Sequence, residues 1–208
     1  MKHRVFIYTL LPLISVFNLL ALEQSQAKPQ SIFQPIIKEI EARLPSGLEL
    51  RLPAFVPASP PEATLYSFLP NDDSNIAIDL DDDLEMEFFT VLIGNTPDCA
   101  KQENPRDCLV AAVGVTEDPL KSPTQLNSLL AEYREDITKV QFKPEIEGFY
   151  FTERDMQSVI WRQNQMAHLL LTKKCDRECI SQQELIDMAK SAANEPAIVN
   201  SDASYYSF

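Results

Sequence analysis

Residues 159–172 read VIWRQNQMAHLLLT, and the way this stretch alternates decides the fold. A chain reversal at Gln163 and Asn164 makes it a β-hairpin. With the turn there, Trp161 faces Met166 and Val159 faces His168 across the two strands. Trp161, Met166, His168 and Leu170 then share one face, and Ile160, Ala167, Leu169 and Leu171 share the other. Both faces are largely apolar, so the hairpin is expected to be covered on both sides, as in a sheet with packed layers.

Outward from the hairpin, the middle of the chain reads as strands at 63–69, 75–80, 84–93, 109–115, 140–142 and 148–151. Turn-forming stretches separate them, among them PNDDSN and the long NTPDCAKQENPRDC. Helices frame and interrupt this β region. From 31 to 44, Ile32, Phe33, Ile36, Ile37, Ile40 and Leu44 recur at helical spacing before Pro45 and Gly47 end the pattern. GLELRLPAF follows with a short alternation of Leu48, Leu50 and Leu52. In the second helix, Ser122 caps, Pro123 suits the first position, and Leu126, Leu129, Leu130, Tyr133 and Ile137 form a stripe. The last begins at a Ser181/Glu184 capping box, carries Leu185, Met188, Ala189 and Ala192 on one side, and stops at Pro196. The order predicts one α+β domain over 28–198, an antiparallel sheet covered by helices; residues 199–208 are a flexible tail or an edge strand.

The first 27 residues have the three parts of a secretory signal: a basic start with Lys2 and Arg4, an apolar run over 5–22, and small residues at Ser25 and Ala27. No cysteine lies near the end of the apolar run, which excludes lipoprotein acylation. Cleavage after Ala27 takes Lys2, Arg4 and Glu23 from 18 basic and 31 acidic residues, leaving 16 against 30 and a net charge of −14. That surface repels phosphate backbones and anionic lipid heads, so neither nucleic acid nor, after signal cleavage, a membrane is an expected partner. The expected location is the periplasm or the exterior.

Four cysteines lie in the mature part, in two close pairs. Short loops favour neighbours, giving Cys99–Cys108 and Cys175–Cys179 as staples. Four thiolates of a zinc site and a redox pair next to the last helix are the alternatives, which an oxidising compartment and the Cys-x3-Cys spacing disfavour. Catalytic signals are sparse. His168 is the only histidine left once His3 is removed, there is no Gly-x-Ser-x-Gly elbow, and four glycines cannot assemble a phosphate loop. No catalytic residue, cofactor or metal is expected. One cation reading exists: Asp79, Asp81, Asp83 and Glu85 are hard oxygen ligands for calcium, but the EF-hand glycine and twelfth-position acid are missing. Trp161, Met166 and His168 form a possible ligand face, joined by Phe151 if a small apolar molecule is carried between sheet and helix. Catalysis by His168 with an acid is the remaining alternative.

LPSGLELRLPAFVP, a Cys-x8-Cys loop between strands, KPEIEGFYFTE, SVIWRQNQMAHLL and ELIDMAKSA occur in this order. The succession resembles an uncharacterised family of small exported bacterial proteins common in cyanobacteria. In that family the Trp hairpin turns through Asn-Gly, where this chain has Asn164 and Gln165. The resemblance implies a secreted domain with no catalytic residues. At the level of architecture the chain is also similar to the photosystem II accessory proteins of the PsbP type, which combine an antiparallel sheet and helices in an oxidising lumen. The expectation is an exported, non-enzymatic domain binding a protein or cell-envelope partner through the acidic 71–87 region or the 99–108 loop.

Overall fold

The computed structural model describes residues 31–57, 64–69, 76–81, 84–102, 107–117, 137–174 and 179–200. The predicted signal segment, the helix predicted from Ser122, residues 201–208 and Cys175 lie outside them. A 3-10 turn, Ser31–Ile36, leads into α1 (Ile37–Arg43), which buries Ile40 and closes with the Leu44 amide donating to the Ile40 carbonyl at 2.8 Å. Strands follow as β1 (Glu49–Leu50), β2 (Tyr66–Phe68), β3 (Ile76–Asp81), β4 (Leu84–Gly94), β5 (Leu109–Glu117), β6 (Thr138–Lys143), β7 (Ile146–Glu153), β8 (Met156–Gln163) and β9 (Met166–Lys173). Helix α2 (Gln182–Asn194) and strand β10 (Ile198–Val199) complete the order.

The main sheet runs β2-β4-β5-β9-β8-β7-β6, with β3 also paired to β4, and every pairing is antiparallel. β1 and β10 make a separate two-stranded ribbon. Long antiparallel strands arise because alternate residues on each are apolar on both faces, which burial on two sides rewards. One face carries Val91, Ile93, Val113, Val115, Tyr150, Val159, Trp161 and Leu170 and packs with Phe33, Ile40, Leu50, Leu185, Met188 and Ala189 of the helical layer. The other carries Phe88, Ala112, Phe149, Phe151, Ile160, Ala167, Leu169 and Leu171. The architecture is α+β, as the sequence predicts.

The capping box forms as expected: Ser181 accepts from the Glu184 amide at 3.3 Å, and the Ser181 amide donates to Glu184 Oε2 at 2.8 Å. Donation to Glu184 Oε2 by the Ser181 amide and, at 2.7 Å, by the Ser181 hydroxyl holds that carboxyl below its usual range. The alternation at 48–52 yields only two strand residues, because β1 finds a partner over Ile198 and Val199 and nowhere else among the described residues. That pairing makes the first residues past the last helix an edge strand.

The hairpin differs from expectation in register. Its turn is at Asn164 and Gln165, with φ of 55° and 65°, so Gln163 pairs with Met166 and Trp161 pairs with His168. Two consecutive left-handed residues are the signature of a type I′ turn, whose twist suits a hairpin. The shift moves each partner by two residues, so the faces are preserved. Phe151, grouped with Trp161 and Met166 for an apolar ligand, lies on the opposite face of the sheet.

Candidate functional site

Trp161, Met166 and His168 come together on the helical side, where β8 and β9 run beneath the end of α2. Trp161 and His168 stack with ring centroids 5.1 Å apart and planes at 14°. Phe142 from β6 stacks on Trp161 at 5.4 Å. It can do so because Gly148, the register partner of Trp161 on β7, has no side chain there. A Cβ at Gly148 would collide with the Phe142 ring and approach the Ile160 carbonyl oxygen at 2.8 Å.

Around the stack lies a polar group that the sequence did not reveal. Arg51, between buried Leu50 and Leu52, donates from Nη1 to the Glu195 carbonyl oxygen, while Nη2 sits 3.6 Å from Glu49 Oε2. Lys143 Nζ and Gln163 Nε2 both donate to the Ala193 carbonyl oxygen, at 3.4 and 3.3 Å. Three side chains from the sheet and from the β1 segment thus satisfy the orphan carbonyls at the C-terminal end of α2, two of them bringing positive charge to the negative end of its dipole. The helix has no basic residue of its own in its last turn. Asn164 donates to Glu49 Oε2 at 2.7 Å, and the Glu49 amide points at Met166 Sδ, 3.1 Å away, tying the hairpin tip to β1. A lone arginine inside a leucine alternation was the available signal; nothing in the sequence indicated Glu195.

The stack and its rim hold several buried polar atoms without a hydrogen-bond partner: Arg51 Nε, Trp161 Nε1, Gln163 Oε1, both ring nitrogens of His168 and Glu195 Oε2. His168 shares this enclosure. It is 1% exposed, and burial, reinforced by the Arg51 charge, pushes its pKa down to about 3. The Gln163 main chain exerts a smaller opposing pull without a hydrogen bond of normal geometry. Burial raises the Glu195 carboxyl. Burial thus favours the neutral imidazole across ordinary pH.

The second feature is the loop between β4 and β5. Cys99 and Cys108 are bridged, with Cα atoms 5.6 Å apart. Gly94 permits the close approach: a Cβ there would meet Cys99 Sγ at 2.8 Å. The Asn95 amide donates to the Cys108 carbonyl oxygen at 3.0 Å, and Asn95, Pro97, Asp98, Lys101, Gln102 and Asp107 are exposed. Of the two predicted disulfides, this is the one whose cysteines are both described; Cys179 is disulfide-bonded, and Cys175 lies outside the described residues.

For the calcium reading, the β3–β4 register sets Asp79 opposite Glu85. The side chains of Asp79, Asp81 and Glu85, and all of Asp83, lie outside the described residues. Among the described residues no helix is long and apolar enough to cross a membrane. The chain matches no family model, no curated protein and no solved structure.

Proposed function

We propose that the chain is an exported, non-enzymatic binding domain of the periplasm or exterior, engaging a protein or another cell-envelope component through the loop closed by Cys99 and Cys108. The carrying observation is that this disulfide closes the loop joining β4 to β5, whose described residues Asn95, Pro97, Asp98, Lys101, Gln102 and Asp107 are exposed. Loops held on rigid scaffolds commonly do the binding, and disulfides persist in oxidising compartments. A second staple, Cys175–Cys179, belongs to the same proposal, as does a supporting contact from the acidic 71–87 region. The resemblance to exported cyanobacterial proteins agrees with it. Carriage of an apolar ligand by Trp161, Met166 and His168 is the poorer reading, since such a ligand would leave the unpartnered polar atoms around it unpaired. A lumenal photosystem accessory role is equally compatible with the disulfide and is separated by the partner's identity.

The test is photo-crosslinking in exporting cells, with benzoylphenylalanine at Lys101 and, as control, at exposed Gln183. The expected result is a discrete adduct from position 101, absent from 183 and lost in the Cys99→Ser/Cys108→Ser chain. No adduct from 101, or one indifferent to the bridge, removes the loop as the contact. A photosystem subunit in the adduct selects the accessory role.

A further inference from the structure

Six polar atoms are enclosed without a protein partner where the β8–β9 hairpin meets the end of α2: Arg51 Nε, Trp161 Nε1, Gln163 Oε1, both ring nitrogens of His168 and Glu195 Oε2. Their residues form one network of contacts. Arg51 donates to the Glu195 carbonyl oxygen and Gln163 to the Ala193 carbonyl oxygen. Trp161 stacks on His168, whose ring lies beside the Arg51 charge and the Gln163 main chain. Trp161 is fully buried, and His168 and Glu195 are each 1% exposed. Buried polar groups in folded proteins are almost always hydrogen-bonded, to protein or to enclosed water. A cluster of such groups, contributed by the β1 segment, the hairpin and the end of α2, marks a binding site.

The packing leaves polar edges, and no ring face of Trp161, to an occupant. β8 lies between β9 and β7, so His168 covers one face of the Trp161 indole and Phe142, seated over Gly148, covers the other. The indole keeps its edge, which carries Nε1. The six atoms are mixed in kind. Arg51 Nε and Trp161 Nε1 donate, Gln163 Oε1 and Glu195 Oε2 accept, and a neutral imidazole supplies one donor and one acceptor. A metal cation would meet the Arg51 charge, and among the described residues no three carboxylate, thiol or imidazole groups gather to hold one. An anion would meet Glu195, Glu49 beside Arg51 and the negative end of α2. An apolar molecule would leave every one of these atoms unpaired. The fit is to a neutral molecule that both donates and accepts, and the enclosure favours the smallest of these.

We propose that this cluster is an internal hydration site, at which enclosed water molecules bridge the β8–β9 hairpin to the end of α2. A buried water makes about three hydrogen bonds, so the six atoms call for roughly two waters or more. Waters that donate to one ring nitrogen of His168 and accept from the other hold the imidazole in a single tautomer. The occupant is then part of the fold and not a cargo. The site stands apart from the Cys99–Cys108 loop, so neither reading depends on the other.

The test is magnetic resonance on the full exported chain, in which Trp161 is the only tryptophan and its indole N–H proton is identified by that alone. The expected result is a water cross-peak to this proton with laboratory-frame and rotating-frame Overhauser effects of opposite sign, as long-lived water gives. The methyl groups of Leu169, fully buried in the apolar cluster of the other face, should show none. Crystals should show water oxygens within hydrogen-bond distance of Trp161 Nε1 and of His168. An indole proton that exchanges slowly with deuterium yet lacks the cross-peak overturns the proposal, because the cluster is then dry. So does a peak of the same sign in both frames, which reports proton exchange with bulk solvent. Electron density for an ion or a larger molecule against Trp161 Nε1 overturns it as well.

Discussion

His168 is an imidazole stacked on Trp161 beside an arginine, with both nitrogens buried and unpartnered. Its position on the Trp161 face follows from strand alternation and was legible in the sequence. Its partner was not, because stacking depends on register, and a two-residue shift changes the partner without changing the face. The environment has a thermodynamic signature. The folded pKa lies at about 3 against an ordinary 6.5, so between these values the unfolded chain binds a proton that the native one lacks. Stability then falls as pH drops through that window. Glu195 acts with the opposite sign: its carboxyl is raised by burial, so its contribution improves on acidification. His168→Phe keeps an aromatic ring against Trp161 and removes the titration. The expected result is a thermal midpoint that declines less steeply below pH 6.5 than that of the parent chain; an unchanged slope would assign the acid sensitivity to other groups.

Among the elements, α2 and the β8–β9 hairpin show what sequence carries and what it omits. The Ser181/Glu184 box marks the start of α2 in local chemistry, and the structure reproduces it. Its other end is satisfied by Arg51, Lys143 and Gln163, which are distant in sequence and invisible to local rules. The hairpin was recognisable by composition, but Gln-Asn-Gln offers no glycine to mark which two residues turn. Gln165 takes a φ of 65° that costs a side-chain-bearing residue about 1 kcal/mol, whereas Asn164 tolerates the region. Gln165→Gly should therefore stabilise the protein by about 0.5–1 kcal/mol in urea unfolding, net of glycine's extra unfolded-state entropy. A destabilised variant would mean that the turn is not the type I′ turn described here.

On the scale of the molecule, the α+β class was readable from the order of elements, because each apolar period reports its own burial. Strand order was not, since adjacency of β5 to β9 joins residues some fifty positions apart and no local pattern encodes it. Nor was the way the helical layer closes. The segment after α2 returns to the segment after α1: β10 pairs with β1, Asn200 donates to the Leu44 carbonyl oxygen at 2.7 Å, and Arg51 reaches the Glu195 carbonyl. Ending the chain after Pro196 removes the first two of these links and keeps the third. The loss should be about 1–3 kcal/mol and local. Hydrogen exchange over residues 31–44 should then accelerate about tenfold or more, while β8, β9 and the interior of α2 keep their protection. Uniform acceleration across the sheet would instead show that β10 supports the entire fold, and no acceleration would show that α1 is held by its packing on the sheet alone.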